Sequence, residues 1–390
     1  MNIALCYESV LPARGGCETY IGDLSRRLAK DGHEVHLYAC RWDAASLPGL
    51  MQYHQLQVPK GPRFLRPWRF GHAVESALAG TDHDVTVGFD KTWGQDVLYP
   101  QGGLHVASVA HNRRKHRNGL LRSISSLGKW FDPAAWSFTK LERKQYLGIT
   151  RPTVVVNSRM VQNHFAKYYG IGSEQLRVVH SAIDPSRFES ADRDTIRKHQ
   201  REEWSVESGV PVGLFIGTNY RLKGLAPLIR ALALLPQELL LKIAVVGHNK
   251  VAAYERLARS LGVRDRLIFL GYRAAPKDLY FAADFLVHPT FYDPCSLVVL
   301  EALACGLPII TTQFNGASEL LVPLANSLVI DDPHDAESLA DALAKMARPS
   351  YRVTRTEYAI AGARDWTFEH HYAALVAVFE EVRTRKQTLR

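Results

Sequence analysis

The chain has 390 residues, more than a single hydrophobic core usually organises, so two domains are expected. Hydrophobic residues at 46% and charged residues at 22% exclude a fibrous or compositionally disordered chain. The net charge of +9 favours anionic partners, and alone it leaves phosphates, an acidic membrane surface and nucleic acid all open.

No apolar run reaches the ~20 residues of a membrane span. The opening stretch Met1-Asn-Ile-Ala-Leu-Cys-Tyr7 has no basic leader or cleavage site, so it reads as a strand rather than a signal peptide. Five irregularly spaced cysteines (Cys6, Cys17, Cys40, Cys295 and Cys305) form no CxxC pair. That pattern predicts free thiols in a reducing cytosol and no zinc site.

From Ile3 the chain alternates strand-like and helix-like runs. Ile3–Tyr7 leads through Gly15-Gly16 to a helical stripe of Ile21, Leu24 and Leu28, then through Gly32-His33-Glu34 to Val35–Tyr38. This is a βαβ unit. Val85–Phe89 and Thr153–Val156 read as further buried parallel strands. A second series starts at Val212–Ile216 and continues with Ile243–Val246, Leu267–Leu270, Phe285–Val287 and Ile309–Thr311. Helical segments such as Leu225–Leu235 separate them, and the polar stretch Asp192–Trp204 reads as a surface helix. The expected fold class is α/β, with two doubly wound parallel sheets. The domains are expected at 1–182 and 183–365, followed by an amphipathic helix in 366–390 with Tyr372, Leu375 and Phe379 on one stripe.

Three places carry chemistry. Gly15 and Gly16 lie between a strand and a helix, where glycine lets backbone approach a ligand; a plain turn is the competing reading. Arg221 and Lys223 follow a strand in Gly217-Thr-Asn-Tyr-Arg-Leu-Lys-Gly224. A forked and a point cation there suit phosphate oxygens, and a solvated pair is the bland alternative. In Asp293-Pro-Cys295-Ser296-Leu297-Val298-Val-Leu-Glu301 two carboxylates flank a turn and a helix start. Ser296 is placed to cap that helix, whose free N–H groups and dipole favour an anion. A buried amphipathic helix with one solvated acid competes with that reading.

Asp293-x7-Glu301, followed by Ala302-Leu-Ala-Cys-Gly306-Leu-Pro308, resembles the Glu-x7-Glu motif of retaining glycosyltransferase family 4, with Asp at the first acidic position. The phrase Tyr292-Asp-Pro-Cys-Ser-Leu-Val-Val-Leu-Glu-Ala302 is most similar to the lipopolysaccharide core glucosyltransferases, and the resemblance runs nearly end to end. It implies the GT-B fold: two Rossmann-like domains facing a cleft, with the last helix crossing back to the first domain. It further implies a UDP-sugar donor, UDP-glucose above others, no cofactor, no metal, and a cell-envelope glycan or glycolipid acceptor.

Carried over residue by residue, Gly15 and Gly16 lie over the donor diphosphate. Arg221 and Lys223, beside Gly217, bind it and offset leaving-group charge. Asp293, one methylene shorter than the usual Glu, meets sugar hydroxyls. Glu301 holds the ribose, and the backbone of Cys295, Ser296, Leu297 and Val298 faces sugar and phosphate. His105 in Gly102-Gly-Leu-His105 matches the family histidine that faces the sugar, with His111 a rival. Arg273, with Gly247 and Tyr272, is placed near the base, and Asp96 either lines the acceptor cleft or caps a helix. No Asp-x-Asp metal motif occurs.

The run from His111 to Lys140 mixes Arg113, Arg114, Lys115, His116 and Arg117 with Lys129, Trp130, Phe131 and Trp136. It suits an anionic interface, hence a peripheral place on the cytoplasmic face of the inner membrane, or it is a solvated face. A sugar-nucleotide epimerase of the same fold and a basic nucleic-acid-binding protein are the rival functions.

Overall fold

The computed structural model describes residues 1–11, 16–115, 132–148, 151–273 and 276–388. They form two compact units. The first holds Met1–Arg113, the described residues from 132 to His180, and the chain from His371 onward; the second holds Ser181–His370 together with Arg114 and Lys115.

The first unit contains β1 (Asn2–Cys6), α1 (Gly16–Lys30), β2 (Glu34–Ala39), β3 (Gln52–Gln55), α2 (Arg66–Leu78), β4 (Val85–Phe89) and β5 (Val97–Tyr99). Then follow α3 (His105–Arg114), α4 (Pro133–Leu147), β6 (Thr153–Val156), α5 (Arg159–Tyr169) and β7 (Leu176–Val178). The sheet order is β3-β2-β1-β4-β5-β6-β7, all parallel. Strands β4 and β6 are buried along their whole length, which is why they read as unbroken apolar runs.

The second unit contains α6 (Arg193–Glu203), β8 (Val212–Gly217), α7 (Leu225–Leu232), β9 (Lys242–Gly247), α8 (Ala252–Ser260), β10 (Leu267–Gly271), α9 (Lys277–Ala282) and β11 (Phe285–His288). It continues with α10 (Leu297–Ala304), β12 (Ile309–Thr312), β13 (Ser327–Ile330), α11 (Ala336–Ala347) and α12 (Pro349–Ala363). Its parallel sheet runs β10-β9-β8-β11-β12-β13. One core, with Tyr280, Leu300 and Leu303, covers one face; the other, with Phe215, Leu228 and Leu343, covers the opposite face. Sequence order reverses between β1 and β4 in the first sheet and between β8 and β11 in the second. Loops leaving those strand pairs diverge and open a crevice at the carboxyl edge.

The final helix, α13 (Phe368–Thr388), returns to the first unit. Arg177 and Glu381 bond at 3.0 Å, and Lys386 Nζ meets Asp96 Oδ2 at 3.0 Å. The buried His371 shares a 2.7 Å hydrogen bond with Tyr20 OH and lies 2.6 Å from the His180 carbonyl. Asp96 also accepts from Thr86 N–H and Oγ1 at 2.9 and 2.8 Å, so its role is structural: it pins β4 to the last helix. No helix among the described residues is long and apolar enough to cross a membrane.

Candidate active site

The site of the second unit lies where β8 and β11 part. After β8 the chain makes a tight turn: Leu222 N–H donates to Asn219 Oδ1 at 3.2 Å and Lys223 N–H to Asn219 O at 2.9 Å. Phe291 N–H then donates to Leu222 O at 2.9 Å, fastening this turn to the segment after β11. Gly224 makes the approach feasible. Its φ is +84°, and a Cβ there would sit 2.0 Å from Pro289 O. Gly247, at φ +145°, likewise packs where a Cβ would meet Gly217 O at 2.0 Å.

This fastening brings Lys223 Nζ onto Asp293 Oδ2. His288, 1% exposed, stands behind, its Nε2 3.5 Å from the same oxygen. Burial works against a charge on Asp293, but Lys223 and then His288 more than offset it, so the carboxyl is held below its ordinary range. Burial also keeps the His288 imidazole less basic than usual. The result is a charged pair with a neutral ring at its back.

Asn315 shapes the turn that follows. Its Oδ1 accepts from Ser296 N–H at 3.2 Å and Ala317 N–H at 3.1 Å, while Gly316 N–H donates to Asp293 O at 2.8 Å. Ser296 holds the N-cap position of α10, but its side chain makes no capping bond, contrary to the sequence expectation; Asn315 organises this turn from another strand end. The first-turn N–H groups of Leu297 and Val298 have no intrahelical acceptor. Cys295, two residues after Asp293, immediately precedes the Ser296 N-cap of this helix.

Glu301 sits one turn further along α10, and Tyr280 OH donates to its Oε2 at 2.5 Å. Burial pushes the Glu301 carboxyl up, and the Tyr280 bond counters only part of that. A buried acid in this state gains when a ligand hydroxyl joins it.

Arg221 is exposed on the β8–α7 turn, at the same strand end as Gly217 and Lys223. Arg273 follows β10 at the sheet edge; it is exposed and 3.7 Å from Glu203 of α6. Gly16 is the exposed first residue of α1, and Gly15 lies outside the described residues. His105 opens α3 in the first unit; its N–H bonds the buried Glu142 carboxylate, which also accepts from Val106 N–H at 3.1 Å and Tyr169 OH at 2.8 Å. His111 is buried against His164, with ring centroids 5.3 Å apart, as a core residue would be. Sequence reasoning missed His288, Tyr280, Asn315 and Glu142. Only His288 had a local signal, at the head of the Asp293 segment.

Residues 14–187 match the model described as Glycosyltransferase Family 4, and residues 196–361 match that described as Glycosyl transferases group 1. The protein is a glycosyltransferase carrying these two domains in turn. This glycosyltransferase is 27% identical to the lipopolysaccharide glucosyltransferase WaaG of Escherichia coli (strain K12), over 88% of this chain and 89% of that one. It is 25% identical to a D-inositol 3-phosphate glycosyltransferase of Xylanimonas cellulosilytica, over 95% and 93%. The crystal structure of WaaG, a glycosyltransferase involved in lipopolysaccharide biosynthesis, matches with a TM-score of 0.78 and 25% identity, over 96% of this chain and 99% of that one. Anabaena HepE, solved with UDP-glucose, shares the fold at a TM-score of 0.69 and 16% identity, with both chains fully covered. The GT-B architecture of the glycosyltransferase thus agrees with its two parallel sheets and returning helix.

Proposed function

We propose that this glycosyltransferase moves glucose from UDP-glucose to a lipopolysaccharide core or similar cell-envelope glycan, with retention at the anomeric carbon and without metal. The observation that carries the reading is the Lys223–Asp293 pair beside the free N–H groups of α10, with Glu301 farther along the same helix. Lys223 and Arg221 supply the positive charge that a departing diphosphate requires. Asp293 accepts from sugar hydroxyls, and Glu301 and Tyr280 take the ribose. A phosphate oxygen of the leaving group then takes the proton of the acceptor hydroxyl on the face where the new bond forms, so no protein nucleophile is assigned. His105 is assigned to the donor sugar on its match to the family histidine.

The likeness to WaaG supports the acceptor class, and the Anabaena structure with UDP-glucose supports the donor class. At the membrane, Trp136 is 66% exposed, with Lys140 Nζ 3.9 Å over its ring; Arg113 and Arg114 are exposed as well. Residues His116, Arg117, Lys129, Trp130 and Phe131 of the same run lie outside the described residues. These side chains support a peripheral place on an anionic bilayer.

The test is transfer from radiolabelled UDP-glucose to core oligosaccharide in excess EDTA, with the product anomer read by NMR. Retention, donor consumption only with acceptor, and full rate in EDTA are expected. An inverted anomer, acceptor-independent consumption, or rescue by Mn²⁺ would refute the corresponding part.

A further inference from the structure

At the carboxyl edge of the first sheet, where β1 and β4 part, two adjoining cavities of about 290 Å³ each share a wall made by Asp90 and Lys91. Both residues follow β4 directly. The Asp90 backbone is clamped: its carbonyl accepts from Gln145 Nε2, and its N–H points to Tyr99 O at 3.4 Å. Asp90 Oδ1 accepts from Gly102 N–H at 3.2 Å. Lys91 Nζ lies 4.0 Å over the Phe138 ring and forms no ion pair among the described residues. Burial makes its ammonium less basic than usual. On the far side of the pair, Tyr7, Phe70 and Phe89 supply aromatic surface.

Charge decides what such a space accepts. In a chain of net charge +9, these two cavities carry Glu8, Glu18, Asp90 and Glu142 against Lys91 alone. Glu8 is paired with Arg66, and Glu142 already accepts from two N–H groups and a hydroxyl. An excess of carboxylates repels a phosphate but accepts hydroxyl protons well. Asp90 accepts and Lys91 donates, from adjacent positions on one strand end, between aromatic walls. This combination matches two neighbouring hydroxyls of a sugar ring and its apolar face.

We propose that Asp90 and Lys91 read a vicinal diol on an uncharged ring of the acceptor glycan, and that this subsite discriminates against a phosphate on that ring. The proposal rests on the reading of the protein as a transferase to a glycan acceptor. It adds the positioning pair and the chemistry of the ring they hold.

The test uses the full chain and a glycan array of neutral and phosphorylated oligosaccharides. The array includes delipidated core oligosaccharide from a glucose-deficient lipopolysaccharide, before and after removal of phosphate by hydrogen fluoride. Lys91→Met and Asp90→Asn are compared with wild type; Asp90 has φ +55°, which Asn tolerates, so its fold should hold. Wild type should bind the neutral forms at least as well as the phosphorylated ones. Each variant should lose at least tenfold in glycan binding and in acceptor KM, with the Kd for UDP, by calorimetry, within twofold.

Array binding and KM within threefold of wild type in both variants would overturn the proposal. So would a tenfold preference for phosphorylated rings that disappears in Lys91→Met, or no neutral glycan bound at all. Binding of some other neutral glycan through Asp90 and Lys91, with no binding of core oligosaccharide, would remove the lipopolysaccharide reading and leave this one standing.

Discussion

The second sheet carries a charged cluster at each edge, and the two are built on opposite plans. At the amino edge Asp284 accepts from Arg197 at 2.7 Å, Arg201 at 2.5 Å and Val212 N–H at 2.7 Å. The same arginines donate to the carbonyls of Phe281, Ala282, Ala283 and Val210, closing the end of α9. A cavity of about 670 Å³ opens beside them, lined by Arg193, Arg197 and Arg352, yet their donors are largely spent on backbone oxygen. At the carboxyl edge Lys223 and Asp293 have one another and His288, with the first turn of α10 alongside. Cavity size is therefore a poor guide here. What marks a binding edge is polar capacity left over after the fold is satisfied.

The comparison breaks or holds on stability against activity. Asp284→Ala should strand two partly buried guanidinium groups and cost about 2–3 kcal/mol, below the loss from a fully buried pair. Asp293→Ala should lower transfer a hundredfold or more with a much smaller change in denaturant midpoint. Equal losses of stability in the two would erase the distinction between edges.

Next in size, Lys223→Ala and Arg221→Ala should each slow transfer by about 2–4 kcal/mol in barrier, read as kcat at saturating donor, with an unaltered circular dichroism spectrum. Wild-type turnover in both variants would remove the diphosphate from this edge.

A third test uses a histidine whose nitrogens are both engaged inside the fold. Burial lowers the His371 pKa from 6.5 to about 4, so the folded state favours the neutral ring. For a depressed histidine, stability is full above the unfolded pKa and is lost as pH falls. Unfolding free energy should therefore drop by up to about 3 kcal/mol between pH 6.5 and 4, and His371→Gln should flatten that slope. A slope unchanged in the variant would assign it to other groups.

The smallest effect concerns Glu301, whose carboxyl is raised by burial. An acid with a raised folded pKa contributes stability below its unfolded value and loses it as pH rises through the folded one. At pH 7, Glu301→Gln should thus raise the melting temperature of the ligand-free protein while weakening UDP about tenfold, near 1.4 kcal/mol. Loss of melting temperature together with unchanged UDP affinity would reverse the assignment of this acid to ligand rather than fold.

Much of the architecture is legible in the sequence alone. Fully buried parallel strands such as Thr153–Val156 declare themselves as apolar runs, and α6 as a polar stretch with no buried residue. The Asp293–Glu301 segment announced a turn and a helix start, because capping and periodicity act over one or two turns. The Ser296 cap failed on the same ground: the competing partner, Asn315, is nineteen residues away and invisible to a local rule. Asp90, Lys91 and Glu142 gave no signal, since each is an ordinary polar residue until the sheet order sets it beside the others.

Local chemistry thus determined the alternation of strands and helices, the cation turn after β8 and the acid-bearing helix after β11, because hydrogen-bond geometry and side-chain period repeat within a few residues. Only the tertiary structure decided that Lys223 meets Asp293 across seventy residues, that Tyr280 holds Glu301, and that Asp284 is structural while Asp293 stays available. Those outcomes depend on which strands become neighbours at the point where the sheet reverses its order. That choice is made by burying whole apolar faces, a sum over the domain to which no single segment of the sequence holds the key.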